Sequence, residues 1–168
     1  MDDISVPAAQ KNKSRPGFII RLVATGFFTG YSPLVPGTVG SIIGLMIYAI
    51  PGFENTIIIG ISIFIFLVIG IFTSHRMEIS EGKDPTCVVI DEIVGMWTSL
   101  LFIPKTFLLV LCGFMLFRFF DIIKLQPAGY VERFRNGVGV MLDDIIAAIY
   151  ANATLHLVIW LFPGVSTF

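Results

Sequence analysis

PTCVVIDEIVGMW, residues 85–97, carries two adjacent carboxylates, Asp91 and Glu92, inside an otherwise apolar run. A charged carboxylate at the centre of a membrane helix costs roughly 2.5–3.5 kcal/mol on insertion scales. Two like charges side by side add a repulsion of up to about 4 kcal/mol at roughly 4 Å and an effective dielectric of about 20. A cation, a basic side chain or protonation has to offset that cost. A second pair, Asp143 and Asp144, sits in VGVMLDDIIAAIY, residues 138–150. Two such pairs in one small apolar chain point to a divalent-metal site.

The rest of the composition places these pairs in a membrane. Of 168 residues, 55% are hydrophobic and 14% charged, with a mean hydropathy of +0.88. Soluble domains carry about 25% charged residues. The chain therefore reads as an integral membrane protein, and its length as one domain. A net charge of −1 leaves no basic footprint for nucleic acid. Cys87 and Cys112 fall in separate apolar segments and read as small buried hydrophobes, not as a disulfide. No cleavable signal peptide follows the polar segment Met1–Arg15, so the first apolar segment is expected to act as an uncleaved anchor.

Outward from residues 85–97, the pattern predicts an all-α integral membrane bundle. It has about four to five transmembrane helices and an N-terminal interfacial helix. Residues 1–16 form an expected disordered polar tail containing Lys11 and Lys13, and 17–168 a single helical membrane domain. The stretch 17–28, interrupted by Arg21, reads as a helix lying in the interface. Pro36 suits the first position of a helix. That segment, to Ile50, is about 22 Å long against a hydrocarbon core of about 30 Å. Asn55 caps the next helix, whose run Thr56–Thr73 is the clearest span, followed by a charged loop from His75 to Lys83. Asp84 as N-cap and Pro85 as first residue start a helix to Ile103. Pro104-Lys105 makes a tight connection, and Thr106 to Lys124 forms another helix. Residues 125–136 read as a polar loop containing Pro127, in which Glu132, Arg133 and Arg135 are expected to form a solvated face. A last helix runs from Val138 to Phe162.

With the N-terminus inside and five crossings, every Lys and Arg except Lys105 falls on or near the cytoplasmic side, a strong positive-inside asymmetry. Asp91 then lies about 9 Å in from Pro85, and Asp143 about 8 Å in from Val138. Asp121 and Arg118 lie about 5 and 9 Å in from Lys124. The Pro36-Gly37-Thr38 segment enters from the same side. Charges from three helices at one depth predict a single site just beneath the cytoplasmic headgroups.

Mg²⁺ favours carboxylate oxygens, keeps several waters and bridges readily to phosphate. Asp91, Glu92, Asp143 and Asp144 offer ligands for one or two ions. One member of each pair can bind while its neighbour orients it. Arg118, Asp121 and Lys124 recur at i, i+3 and i+6 on one helix. Arg118 suits bidentate contact with phosphate and Lys124 adds a point charge. Asp121 has three readings: it holds Arg118, binds metal or acts on water. Thr38 and the Gly37 backbone are placed to donate to phosphate oxygens. Asp91, Asp121 and Asp143 are the candidate catalytic carboxylates, for attack on phosphorus by water or by a carboxylate. A plainer reading makes Arg118–Asp121–Lys124 an intrahelical ion pair with a snorkelling lysine. His75 and His156 read as structural.

Four segments carry a resemblance. They are SPLVPGTVGS (32–41), VIDEIVGMW (89–97), FRFFDIIK (117–124) and GVMLDD (139–144). In this order and spacing, the chain resembles the phosphatidylglycerophosphatase A family of small bacterial membrane phosphatases, over about Ala24 to Tyr150. The resemblance implies hydrolysis of the terminal phosphomonoester of phosphatidylglycerophosphate, giving phosphatidylglycerol, with Mg²⁺ as cofactor. It also implies a multi-pass protein of the bacterial cytoplasmic membrane. Two places depart from the pattern. Lys124-Leu125-Gln126-Pro127 stands for a Lys-Pro-x-Pro run, and Glu132-Arg133 with Asn136-Gly137 stand for Asp-Arg and a Gly-Gly pair. Competing readings are a CDP-alcohol phosphotransferase, whose longer aspartate signature the chain lacks, and a cation-coupled transport subunit.

Overall fold

The structure, a computed structural model, describes residues 15–131 and 133–167. The expected tail over Met1–Ser14, and Glu132, lie outside the described residues. Among the described residues the chain is all helical. The α-helices are α1 (Phe18–Ala24), α2 (Pro36–Ala49), α3 (Thr56–Glu81), α4 (Ile90–Ser99), α5 (Phe107–Ile123), α6 (Ala128–Val131) and α7 (Val138–Leu161). Thr29–Tyr31 and Pro163–Thr167 form 3₁₀ turns.

The helix that carries Asp91 and Glu92 is the innermost. α4 buries Ile90, Asp91, Ile93, Val94, Gly95, Met96, Trp97 and Ser99, packed against α2, α3, α5 and α7. The sequence of α2 permits a close approach. Gly40 and Gly44 lie one turn apart, and an added Cβ would come within 2.8 Å of Val89 Cβ and 3.0 Å of Met96 Cβ. Small residues at this spacing let helix backbones pack directly, the main source of helix association in lipid. Trp97 Nε1 then reaches across to donate to the Gly44 carbonyl at 2.9 Å.

Several predicted boundaries hold. Pro36 opens α2. Asn55 caps α3, accepting from the Ile57 and Ile58 amides at 3.0 and 3.4 Å. Thr106 caps α5 through the Leu109 amide at 3.4 Å. Two boundaries are corrected. The expected loop from His75 is helix, and α3 continues to Glu81. Arg76, Met77 and Glu78 favour helix, and the first breaker is Gly82, at φ 111°. The second correction concerns α4. Asp84 is not its N-cap but has φ 50°, and residues 85–89 are not helical. The Val89 amide is drawn instead to the Ala24 carbonyl at 2.9 Å, a tertiary bond that holds the chain off the helical path. α4 begins at Ile90 and stops at Ser99, short of Ile103. Asp91 is therefore at the helix start, and not 9 Å inside it.

Ten residues of α4 reach about 15 Å and cannot cross a bilayer. α3 and α7 are long and apolar enough to do so. α2 and α5, with 14 and 17 residues, are shorter. α1 covers only seven residues of the expected interfacial segment, lies against α3 and exposes Phe18 and Ile19. The carbonyls at the buried end of α4 need partners, because no water reaches them in an apolar interior. Asn152 of α7 supplies them, its Nδ2 donating to Ser99 O at 3.1 Å and Leu101 O at 2.8 Å. At that end of the bundle Lys105 Nζ donates to the Ala49 and Ile50 carbonyls, both at 3.3 Å, and to Glu54 Oε2 at 2.9 Å.

Candidate active site

At the other end of α4, a cavity of about 200 Å³ collects polar side chains from four helices and a loop. The start of α2 gives Pro36 and Gly37, the loop gives Asp84 to Thr86, and the start of α4 gives Asp91 and Glu92. The last turns of α5 give Arg118, Asp121 and Lys124, and the second turn of α7 gives Asp143 and Asp144. Six carboxyl groups thus face one space with two basic side chains. Asp91, Asp143 and Asp144 are 8%, 7% and 3% exposed, so bulk water does little to screen them. Such a surplus of negative charge calls for a bound cation.

The two pairs are not equivalent inside the cavity. Ligand oxygens of Asp91, Glu92 and Asp144 lie within 4.8 Å of one another. Asp143 is turned to α5, where Lys124 Nζ donates to its Oδ2 at 3.0 Å. Glu92 Oε2 and Asp144 Oδ2 are buried and accept no hydrogen bond among the described residues. Buried acceptors in that condition are costly, and oxygen-only donors of this kind suit a hard divalent cation. The residues present therefore fit Mg²⁺. Adjacent residues on a helix point about 100° apart, which sends Asp144 to the acidic trio and Asp143 to the lysine.

Arg118 is held in place before any ligand arrives. Its Nη1 donates to Asp121 Oδ2 at 2.7 Å and meets Ser41 Oγ at 3.5 Å. Its Nε is buried and has no acceptor among the described residues. Gly37 makes room for this arrangement: a Cβ there would strike Glu92 Oε1 and lie 3.0 Å from both terminal nitrogens of Arg118. The backbone of α2 can thus lie directly over the carboxylate and the guanidinium.

Of the residues anticipated from sequence, Asp91, Glu92, Arg118, Asp121, Lys124, Asp143 and Asp144 share the cavity. Thr38 does not line it. Its neighbours Gly37 and Ser41 take the inward face, one turn apart, and Thr38 follows Gly37 by about 100° around the helix. Ser41 and Asp84 were missed. Ser41 lay within the 32–41 motif at i+4 from Gly37, a spacing that could have revealed it. Asp84 looked like a cap and instead lines the cavity. Cys87 lies in the loop that lines part of the site and is buried. Its thiol is pushed up to about 12, first by burial and then by the hydrogen bond from Sγ to Glu81 Oε2 at 3.1 Å.

Comparison with known proteins follows the same residues. Residues 22–159 match the sequence model of the family described as Phosphatidylglycerophosphatase A. A Bacteroides thetaiotaomicron protein named "Putative phosphatidylinositol-3-phosphatase" is 37% identical over 154 residues, covering 87% of this chain and 97% of that protein. The Phosphatidylglycerophosphatase A of Escherichia coli is 31% identical, covering 82% of this chain and 81% of its own. That of Haemophilus influenzae is 36% identical, covering 79% and 83%. No solved structure matches the chain.

Proposed function

The chain belongs to the phosphatidylglycerophosphatase A family, and on that premise we propose that it is a Mg²⁺-dependent phosphatase of phosphatidylglycerophosphate. As a member it is a phosphoric monoester hydrolase of phospholipid metabolism. The proposal adds the cofactor, the substrate, and a place in the bacterial inner membrane with the cavity facing the cytoplasm. The observation that carries it is the acidic trio Asp91, Glu92 and Asp144 beside Arg118 and Lys124 in one cavity.

Asp91, Glu92 and Asp144 would hold the ion. Bound there, Mg²⁺ would neutralise charge on the phosphate oxygens and polarise the phosphorus. Arg118, fixed by Asp121 and Ser41, presents its remaining N–H groups to the phosphate, a planar fork matched to that geometry. The start of α2, free of a side chain at Gly37, turns its positive dipole end to the same group. In this reading Asp121 would take the proton of an attacking water, and Lys124 with Asp143 would steady the leaving oxygen. The acyl chains of the lipid can remain in the bilayer while the headgroup enters the cavity.

The test is phosphate release from phosphatidylglycerophosphate by purified protein in detergent, with and without EDTA. Silence under every divalent metal overturns the reading. A second substrate, phosphatidylinositol 3-phosphate, enters because of the name borne by the Bacteroides relative. Assay of both lipids side by side decides between them. Transport is the less favoured reading, because an ion path needs polar groups along its length. In the described structure the far end offers chiefly the Lys105–Glu54 pair.

A further inference from the structure

A second cavity takes its lining in part from the residue next to Asp84 in the chain. It measures about 350 Å³ and is lined by His75, Glu78, Ile79, Lys83, Arg135 and Asn136. Its size lies in the range of about 300–1,000 Å³ that holds small molecules. Lys83 belongs to this cavity and Asp84 to the catalytic one, and successive Cα atoms are about 3.8 Å apart.

The chemistry of the two spaces differs. The catalytic cavity is dominated by carboxylates, whereas this one presents Lys83 and Arg135 at its rim, both exposed. On its inner side Glu78 Oε2 accepts from the Gly137 amide at 2.8 Å. Glu78 Oε1 and His75 Nδ1 are buried with no hydrogen-bond partner among the described residues. Two cations at the rim suit one anionic oxygen group. An unfilled carboxylate oxygen and an unfilled imidazole nitrogen suit hydroxyl groups.

We infer that this cavity binds the part of the lipid headgroup that is not hydrolysed: the hydroxyl-bearing linker and the phosphodiester that joins it to the diacylglycerol. Lys83 and Arg135 take the phosphodiester, and Glu78 and His75 take hydroxyls. The inference rests on the phosphatase reading, in which a phosphomonoester and a phosphodiester sit on one polyol. Lys83 and Asp84 are consecutive, so the two cavities meet the chain at one step, and we place one phosphate in each. Specificity for the polyol then resides at Glu78 and His75, away from the reacting phosphorus.

The probe is short-chain phosphatidylglycerol, which keeps the glycerol and the phosphodiester but has no terminal phosphate. Its binding to the full chain is measured by calorimetry, so the readout needs no turnover. The double variant Lys83→Ala/Arg135→Ala should weaken binding about tenfold or more, and the charge-keeping Lys83→Arg/Arg135→Lys should restore most of it. Glu78→Gln should weaken it less. Unchanged affinity in the alanine variant, with the arginine–lysine variant equally unaffected, overturns the subsite. So does displacement of the lipid by inorganic phosphate at matched concentration, which would place the probe in the catalytic cavity. Binding that depends on Lys83 and Arg135, in a protein that releases no phosphate from any lipid, would keep the subsite and remove the reaction.

Discussion

The two ends of the bundle solve opposite problems with the same helices. At one end, the starts of α2, α4 and α7, the close of α5 and the loop before α4 bring six carboxyl groups and two basic residues into a cavity of about 200 Å³. At the other, the close of α2 and the start of α5 are joined by one lysine and one glutamate at 2.9 Å. The first arrangement is costly without a ligand, because buried acceptors remain unmatched. The second is satisfied as it stands, with Lys105 ending α2 by its carbonyl contacts. Charge that is already balanced holds a fold together, and charge that is left over is available for chemistry.

The largest expected effects sharpen this contrast. Asp91→Asn or Asp144→Asn removes a carboxylate oxygen from the trio and should cut phosphate release by orders of magnitude, with insertion unchanged; full activity in either would take that residue out of the proposed metal site. Asp143→Asn should cost less than Asp144→Asn, because Asp143 engages Lys124. Equal losses would erase the distinction between the members of that pair. Gly37→Ala should come next, with turnover falling about tenfold or more as its methyl meets Glu92 and Arg118. Wild-type turnover there would show that the start of α2 can move aside.

At the far end the expected effects are on stability. Asn152→Ala leaves the Ser99 and Leu101 carbonyls bare in an apolar setting and should cost about 1–3 kcal/mol. Thermal unfolding in detergent measures it, and no loss would mean that water reaches the end of α4. Glu54→Gln should be the mildest. Its hydrogen bond from Lys105 lowers the Glu54 pKa below its ordinary value of 4.5. Any stabilisation from the pair is therefore complete above that value and fades as the pH falls through the lowered one. Glu54→Gln should flatten that acid limb and leave turnover unchanged.

The sequence made the bundle legible because apolar runs and helix caps are local signals. Pro36, Asn55 and Thr106 mark helix starts without reference to the rest of the chain. It misled at Asp84-Pro85, a good local start, because Val89 bonds to Ala24, 65 positions earlier in the chain. The cluster of acidic and basic residues was legible from charges recurring at one end of several helices. Which aspartate of 143 and 144 faces the trio was not, since rotation about α7 is set by its packing on α4 and α5. Thr38 shows the same limit: a hydroxyl beside a glycine at a helix start invited a role, and the rotation of α2 gave the inward face to Ser41.

α4 is too short for a through-going span, and most of its side chains are buried against the other helices. Changes in bilayer thickness act on long spans by tilting or stretching their surroundings. Here α3 and α7 are the elements that would absorb such strain. Asp91 and Glu92 stand on a short inner post packed on several sides by other helices. Their spacing should therefore stay constant across membranes of different depth, and activity should follow lipid chain length only as far as α7 carries Asp144 with it.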